Sequence, residues 1–320
     1  MKNVLAVDIG GTQYRVGLFD QEGRRLLTSE DDTSRAGGRG WMLQQIDQRC
    51  RALMEKTDYP IEACGVSFGG PVDFERQLAT SIYSPGWEKF PLAQWVQETL
   101  KLPCQIDNDA NAGALGEYRF GGGKGTRSMV YVTLSTGLGS GLICEGKLYR
   151  GKDGLAGELG HLPVSESGVL CSCGARGCLE TFCSGAAIAQ RGREWAIRRP
   201  EGMDRMIELS GGGSPENITA KAVLQAAAEG NVAATHILRE TTRWLARGLL
   251  TVIRILNPDK IILGGGVAQA GKVLLDPVQE HLGELASPTI GYSTSIVLAD
   301  LGSNSALYGA AAIALDLGQN

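Results

Sequence analysis

Twice in this chain an apolar run ends in a glycine-rich turn and then doubles back. Val4-Leu5-Ala6-Val7 leads into Asp8-Ile9-Gly10-Gly11-Thr12, after which 14–19 alternates as a returning strand. Met129-Val130-Tyr131-Val132-Thr133-Leu134 leads into Ser135-Thr136-Gly137-Leu138-Gly139-Ser140-Gly141, and Leu142-Ile143-Cys144 turns back. The two stretches share little sequence, but their organisation is specific. It predicts two lobes whose turns offer exposed amides to a common cleft. The length of 320 residues agrees, since one hydrophobic core rarely serves so long a chain. The 45 glycines cluster at the ends of apolar runs without a repeat, which marks tight turns and excludes collagen-like or low-complexity chains.

The remaining pattern is mixed α/β. A third antiparallel strand is expected over 24–28, a loop over 34–40, and a helix over 41–56 with Met42, Ile46, Leu53 and Met54 on one face. A strand over 63–68 ends at Gly69-Gly70-Pro71. A helix over 92–100 precedes a short strand near 104–106, and Asp107-Asn108-Asp109-Ala110-Asn111 opens a helix reaching about 118. Thr219 reads as the N-cap of a helix over 220–229. A longer helix over about 232–256 stops at Asn257-Pro258. A strand over 261–263 enters Gly264-Gly265-Gly266, and a last helix near 305–316 is expected to pack back on the first lobe. His236 and His281 fall on helical stretches and read as surface or core residues.

A formal charge of −4 gives no electrostatic footprint for nucleic acid or a membrane surface. No apolar run approaches the roughly twenty residues that span a bilayer, and Asp8 interrupts the apolar start too early for a signal peptide. Outside one cluster the cysteines are scattered singly, so a reducing compartment, the cytoplasm, is expected.

That cluster lies in 157–180. His161, Cys171, Cys173 and Cys178 supply one imidazole and three thiols, the donor set of a closed structural Zn²⁺ site. A small disulfide knot or buried thiols are the plainer readings, although Cys171 and Cys173 are too close in sequence to pair comfortably. Glu158 and Glu180 bracket the loop, and carboxylates of this kind can accept sugar hydroxyls. With one ring nitrogen on zinc, the other nitrogen of His161 would carry a proton and donate it to a substrate hydroxyl. The glycine turns need sorting. Gly137-Leu138-Gly139-Ser140-Gly141 is followed by strand pattern, not helix, so it is not a dinucleotide fingerprint, and 121–126 lacks the Lys-Ser/Thr pair of a P-loop. Each hairpin turn alone is ordinary; two together, carrying Thr12 and Thr136, suit phosphate oxygens. Asp109, at a strand-to-helix junction, is the best candidate base, with helix capping by Asp107, Asn108 or Asp109 as the alternative. Asp8 suits the hydration shell of Mg²⁺ or simply caps its turn.

In combination these motifs resemble the ROK family of bacterial sugar kinases. The resemblance is carried by Asp8-Ile9-Gly10-Gly11-Thr12, Asn108-Asp109-Ala110-Asn111, the turn at 136–141, Glu158-Leu159-Gly160-His161 and Cys171-x-Cys173-Gly174-x-x-Gly177-Cys178-x-Glu180. Asn257-Pro258 and Leu263-Gly264-Gly265-Gly266-Val267 look like that family's later nucleotide-side segment. The resemblance spans almost the whole chain, and its cysteine motif is highly specific. It implies an α/β, two-lobed actin-like ATPase (ribonuclease H-like) fold with the active site in a cleft between lobes. The small lobe is expected over 1–108 plus about 304–320, and the large lobe over 109–303.

The implied activity is ATP-dependent phosphorylation of a hexose, glucose at O6 above others such as N-acetylmannosamine, N-acetylglucosamine, fructose or allose. Asp109 falls on the family's catalytic base. Asn108, Glu158, His161, Glu180 and Gly70 fall on sugar contacts; His161, Cys171, Cys173 and Cys178 fall on zinc ligands. Asp8, Gly10, Gly11, Thr12, Thr136, Gly137, Gly139 and Gly265 fall on the ATP–Mg²⁺ side. The expected partner is a small-molecule sugar, with no nucleic acid or membrane, in a homodimer or homotetramer. The same family contains sugar-responsive repressors with an N-terminal helix-turn-helix; a first strand at residue 4 and an acidic charge leave that as the second expectation. Three positions depart from the family pattern: Gln13 where lysine is usual, Tyr83-Ser84 where asparagine precedes Pro-Gly-Trp, and Gly69-Gly70-Pro71 in place of Pro-Gly-Pro.

Overall fold

Every residue of the first strand, β1 (Asn3–Ile9), is buried, which requires cover on both faces of its sheet. The two-residue period of a strand sorts them: Leu5, Val7 and Ile9 enter one core, Val4 and Ala6 another. The computed structural model describes residues 3–34, 36–81, 84–198, 202–287 and 289–317. After β1, β2 (Gln13–Asp20) and β3 (Arg25–Asp32) pair antiparallel in turn. Helix α1 (Gly38–Met54) places Met42, Ile46, Cys50 and Leu53 in the core with Leu5 and Val7. Strand β4 (Ile61–Phe68) returns parallel to β1. A small hairpin, β5 (Val72–Asp73) and β6 (Leu78–Ala79), and helix α2 (Leu92–Leu100) lead to β7 (Cys104–Asn108), parallel to β4. The sheet order is β3-β2-β1-β4-β7. Helix α3 (Asp109–Phe120) begins directly at the end of β7.

A second sheet opens with β8 (Met129–Leu134), β9 (Leu138–Cys144) and β10 (Lys147–Tyr149). Helices α4 (Glu180–Cys183), α5 (Gly185–Arg198), α6 (Asp204–Leu209), α7 (Ala220–Ala228) and α8 (Val232–Leu256) follow. Strand β11 (Lys260–Gly264), helix α9 (Lys272–Leu285) and strand β12 (Ser295–Leu298) complete an order of β10-β9-β8-β11-β12, with β11 parallel to both β8 and β12. The chain closes with α10 (Ser305–Leu317). Met1–Gly125, Gly141–Ala156 and Asn304–Asn320 form one compact unit; Thr126–Ser140 and Gly157–Ser303 form the other. No helix among the described residues is long and apolar enough to cross a membrane.

Most expected elements are present, with α2, β8 and α8 at their expected bounds and Thr219 capping α7 through the Ala222 N–H at 3.2 Å. Three differences have physical causes. Strand β9 starts at Leu138, so Gly139 and Gly141 lie in a strand and the turn itself is only 135–137; Ser135 N–H donates to Gly137 O at 3.0 Å and closes it. Strand β3 runs on to Asp32, and Thr33 just beyond it donates its N–H to Thr12 O at 2.8 Å. Helices α5 and α9 carry interior breakers, Gly192 and Pro277, that hide them in the sequence.

As expected, α10 packs on the first sheet, joining Leu307, Ala310, Ala311 and Ala314 to Val4, Ala6, Phe19 and Ala63. It also lies backbone to backbone against α3. A Cβ at Gly309 would meet Ala112 O at 1.7 Å, and one at Gly116 would meet Ser305 O at 2.2 Å. Because backbone cannot yield as a side-chain tip does, Gly309→Ala is expected to cost about 3 kcal/mol, the upper part of the overpacking range. Thermal melting should fall by about 5–10 °C; an unchanged midpoint would show that the helices can move apart freely.

Candidate active site

In the first unit the candidate residues collect at the ends of three parallel strands, where Asp8, Ser67 and Asp107 are register partners across β1, β4 and β7. The buried Asp8 carboxylate accepts the Ser67 hydroxyl at 2.9 Å and faces Arg15 Nη1 at 3.4 Å. Burial pushes its carboxyl above the ordinary aspartate range despite the opposing pull of Arg15 and Ser67. Arg15, itself buried, also donates to Glu30 at 2.8 Å and to Gln13 Oε1 at 2.9 Å. The side chain that stands where lysine is usual is thus tied back to a cation two residues on.

The first glycine turn is tight: Gly10 N–H donates to Gln13 O at 3.0 Å, and a Cβ at Gly10 would lie 2.6 Å from that oxygen. Gly11 and Thr12 are exposed. The Gly69-Gly70 turn lies against this one, with Gly69 N–H on Ile9 O at 2.8 Å. Gly70 packs under Phe68, whose ring tilts on buried Trp87 with centroids 4.9 Å apart. Tyr83 lies outside the described residues.

At the β7–α3 junction the three polar side chains divide their tasks. Asp107, 2% exposed, takes a two-pronged hold from Arg150 at 2.9 and 2.7 Å. Its other oxygen accepts Asn108 N–H at 2.8 Å and Asn111 Nδ2 at 2.9 Å. Asn108 is the N-cap, its oxygen accepting Asn111 N–H at 2.7 Å. Asp109 is the first residue of the helix, where the dipole favours a negative group. Capping therefore belongs to Asn108. Arg15 and Arg150 escaped the sequence reading because their partners are set by strand register and a 43-residue separation, neither of which leaves a local signal.

In the second unit the four metal-type side chains converge. His161 Nδ1, Cys171 Sγ, Cys173 Sγ and Cys178 Sγ all lie within 4.8 Å of one another. The His161–Cys171 pair is 3.5 Å apart and the Cys173–Cys178 pair 3.6 Å. Tetrahedral ligation with bonds of about 2.3 Å to sulfur puts neighbouring donors roughly 3.5–3.8 Å apart, so the spacing fits one ion. All the cysteines are free thiols, which disposes of the disulfide knot. A hydrogen bond from the Ala175 backbone holds the Cys173 thiol below its usual range, while burial pushes Cys178 up to about 12. A thiol of that kind ionises readily only when a cation shares its site. The outward ring nitrogen of His161, Nε2, lies 3.8 Å from half-exposed Glu158 Oε2.

Glu180, the first residue of α4, accepts Leu138 N–H at 2.9 Å at the foot of the β8–β9 turn. Thr136 is exposed and Gly137 partly so. Gly265 reaches the end of β8, its Cβ position 2.4 Å from Leu134 O with φ +83, so only glycine fits. This unit therefore brings Thr136, Gly137, Gly139, Glu180 and Gly265 to one end of its sheet, beside the loop that carries the four converging donors. His236 packs on Trp195, centroids 5.0 Å apart, and buried His281 bonds Glu284 at 3.2 Å; both stand apart from that cluster, as read.

Two α/β units, each opening with strand, glycine turn and returning strand, make this an actin-like ATPase fold. The ROK family profile matches residues 4–317, and the chain belongs to the ROK family. The glucokinase of Streptomyces coelicolor is 35% identical over 97% of this chain and 96% of its own length. The xylose repressor of Caldicellulosiruptor bescii is 31% identical over 83% of this chain and 66% of its own length. The crystal structure of a ROK family glucokinase from Streptomyces griseus, in complex with glucose and AMPPNP, superposes with a TM-score of 0.87 at 35% identity, covering 98% of this chain and 99% of the other.

Proposed function

We infer that this chain is an ATP-dependent sugar kinase that phosphorylates glucose at O6, with Asp109 as the general base. The observation that carries the assignment is the division of labour at the β7–α3 junction. Asp109 is the first residue of α3, directly at the end of β7, beside the Arg150-held Asp107 and the capping Asn108. Relatives that act on glucose match almost the full chain, whereas the repressor match covers less of both partners.

Phosphoryl transfer asks little covalent work of a protein; alignment and charge neutralisation supply most of the rate. Asp109 accepts the proton of the attacking hydroxyl. Asn108 Nδ2, Glu158, Glu180, His161 Nε2 and the Gly70 backbone orient the sugar, and the amides and hydroxyls of Gly10, Gly11, Thr12, Thr136, Gly137 and Gly139, with Gly265, receive the nucleotide. Asp8 suits a magnesium shell, since a buried carboxylate with an elevated pKa is relieved by a second cation. Magnesium bound there with ATP would neutralise phosphate charge. His161, Cys171, Cys173 and Cys178 would hold a structural zinc that stiffens the loop carrying Glu158 and Glu180.

Sugar-dependent ADP release across a panel of hexoses, with the phosphorylated position resolved by NMR, tests the assignment. Glucose is expected to give the highest kcat/KM and glucose 6-phosphate as product. If no hexose stimulates ADP release while sugars still bind, the repressor-like reading takes its place.

A further inference from the structure

The turn at 135–137 is gripped by the same segment that carries the metal-type ligands. Glu180 Oε2 accepts Leu138 N–H at 2.9 Å. Gly185 N–H donates to Ser135 O at 2.7 Å and Ala186 N–H to Thr136 O at 3.3 Å. Ser140 Oγ donates to Gly157 O at 2.6 Å. Gly160 sits so close beneath the turn that a Cβ would meet Leu138 O at 2.1 Å. Glu180 follows fully buried Cys178 by two residues, so its backbone has little freedom once that thiol is fixed. Gly137 leaves room for the carboxylate to reach in: a Cβ there would lie 2.5 Å from the same Oε2.

The geometry points to Glu180 as a positioning residue for the nucleotide, holding the β8–β9 turn in the conformation that meets phosphate. This rests on the reading of that turn as a phosphate site, and it adds to the sugar contact assigned to Glu180. A carboxylate accepting a backbone N–H makes a charge-assisted bond, stronger than one between neutral groups, and it adds to the Ser135–Gly137 closure and the Gly185 and Ala186 bonds that hold the same turn. A hydroxyl-binding carboxylate that also braces the phosphate turn couples the two ligands, so each should tighten the other by the same factor.

Binding of AMPPNP without sugar, measured by calorimetry, tests this. Glu180→Ala is expected to weaken AMPPNP about tenfold, the loss of one charge-assisted bond. Glu180→Gln, whose neutral amide oxygen can still accept Leu138 N–H, should fall between the two, about threefold weaker than the parent. Gly137→Ala, which pushes the carboxylate aside, should match Glu180→Ala and add nothing to it in the double variant. If Glu180→Ala lowers sugar affinity alone and leaves AMPPNP binding intact, Glu180 is a sugar ligand only and the positioning role is overturned, with the kinase assignment standing. Full additivity of the two substitutions would overturn it equally. If the parent itself does not bind AMPPNP, the phosphate-turn reading beneath it fails.

Discussion

Asp109→Asn is expected to bind sugar about as tightly as the parent and to turn over about 10²–10⁴-fold more slowly, the usual contribution of a positioned general base. The substitution changes one oxygen to an amide nitrogen and little else. Asn108 keeps the cap of α3 through Asn111 N–H, and Asp107 keeps Arg150, so the backbone at 108–109 stays where it is. Losing a negative charge from the first turn of a helix costs about 0.3–1 kcal/mol, too little to unfold the chain. The loss should therefore appear in kcat and in kcat/KM equally, with the sugar Kd unchanged, which is the mark of an interaction made in the transition state. Stopped assays for kcat, with sugar affinity from tryptophan fluorescence, would settle the matter. Near-parental turnover would remove Asp109 from the chemistry and direct attention to another carboxylate.

The elements that a local pattern can encode were legible in the sequence. Helix α8 announces itself by amphipathic period and its Asn257-Pro258 stop, and β1 and β8 by uninterrupted apolar runs. The donor cluster was legible because four unusual side chains fall within eighteen residues, 161 to 178. What stayed hidden depends on register or on distance along the chain. Nothing near Asp8 in sequence marks Ser67 as its partner; the β1–β4 pairing does that. Arg150 looks like an ordinary strand-end cation until β10 is placed, and only then is it seen to hold Asp107 while lying 3.6 Å over the Phe74 ring. Gln13, a departure from the family pattern, proves to belong to the Arg15 network, which no reading of residue 13 alone could supply.

Removal of the metal should weaken the sugar binding that loss of the base leaves intact. Cys173→Ser takes away the exposed thiol of the three, whose pKa the Ala175 backbone lowers, and leaves His161, Cys171 and Cys178 with an incomplete tetrahedron. Bound zinc, measured by inductively coupled plasma mass spectrometry, should fall from about one equivalent to a small fraction, because three donors leave an ordinary structural site open. The consequence should reach both ends of the loop. Glu158 stands three residues before His161, and Glu180 two residues after Cys178, so a freed loop loosens both carboxylates at once. Sugar KM is expected to rise by more than tenfold, with each weakened hydroxyl contact worth about 1 kcal/mol. Because the apolar cores of the first unit contain none of the four ligands, its thermal transition should survive while local protease sensitivity appears near 165–176. Cys183→Ser, a buried thiol outside the cluster that contacts Thr241 O at 3.5 Å, is the control: it should keep its zinc and its sugar KM. Undiminished sugar affinity in metal-free Cys173→Ser protein would mean that the fold of the loop, and not the ion, holds Glu158 and Glu180 in place.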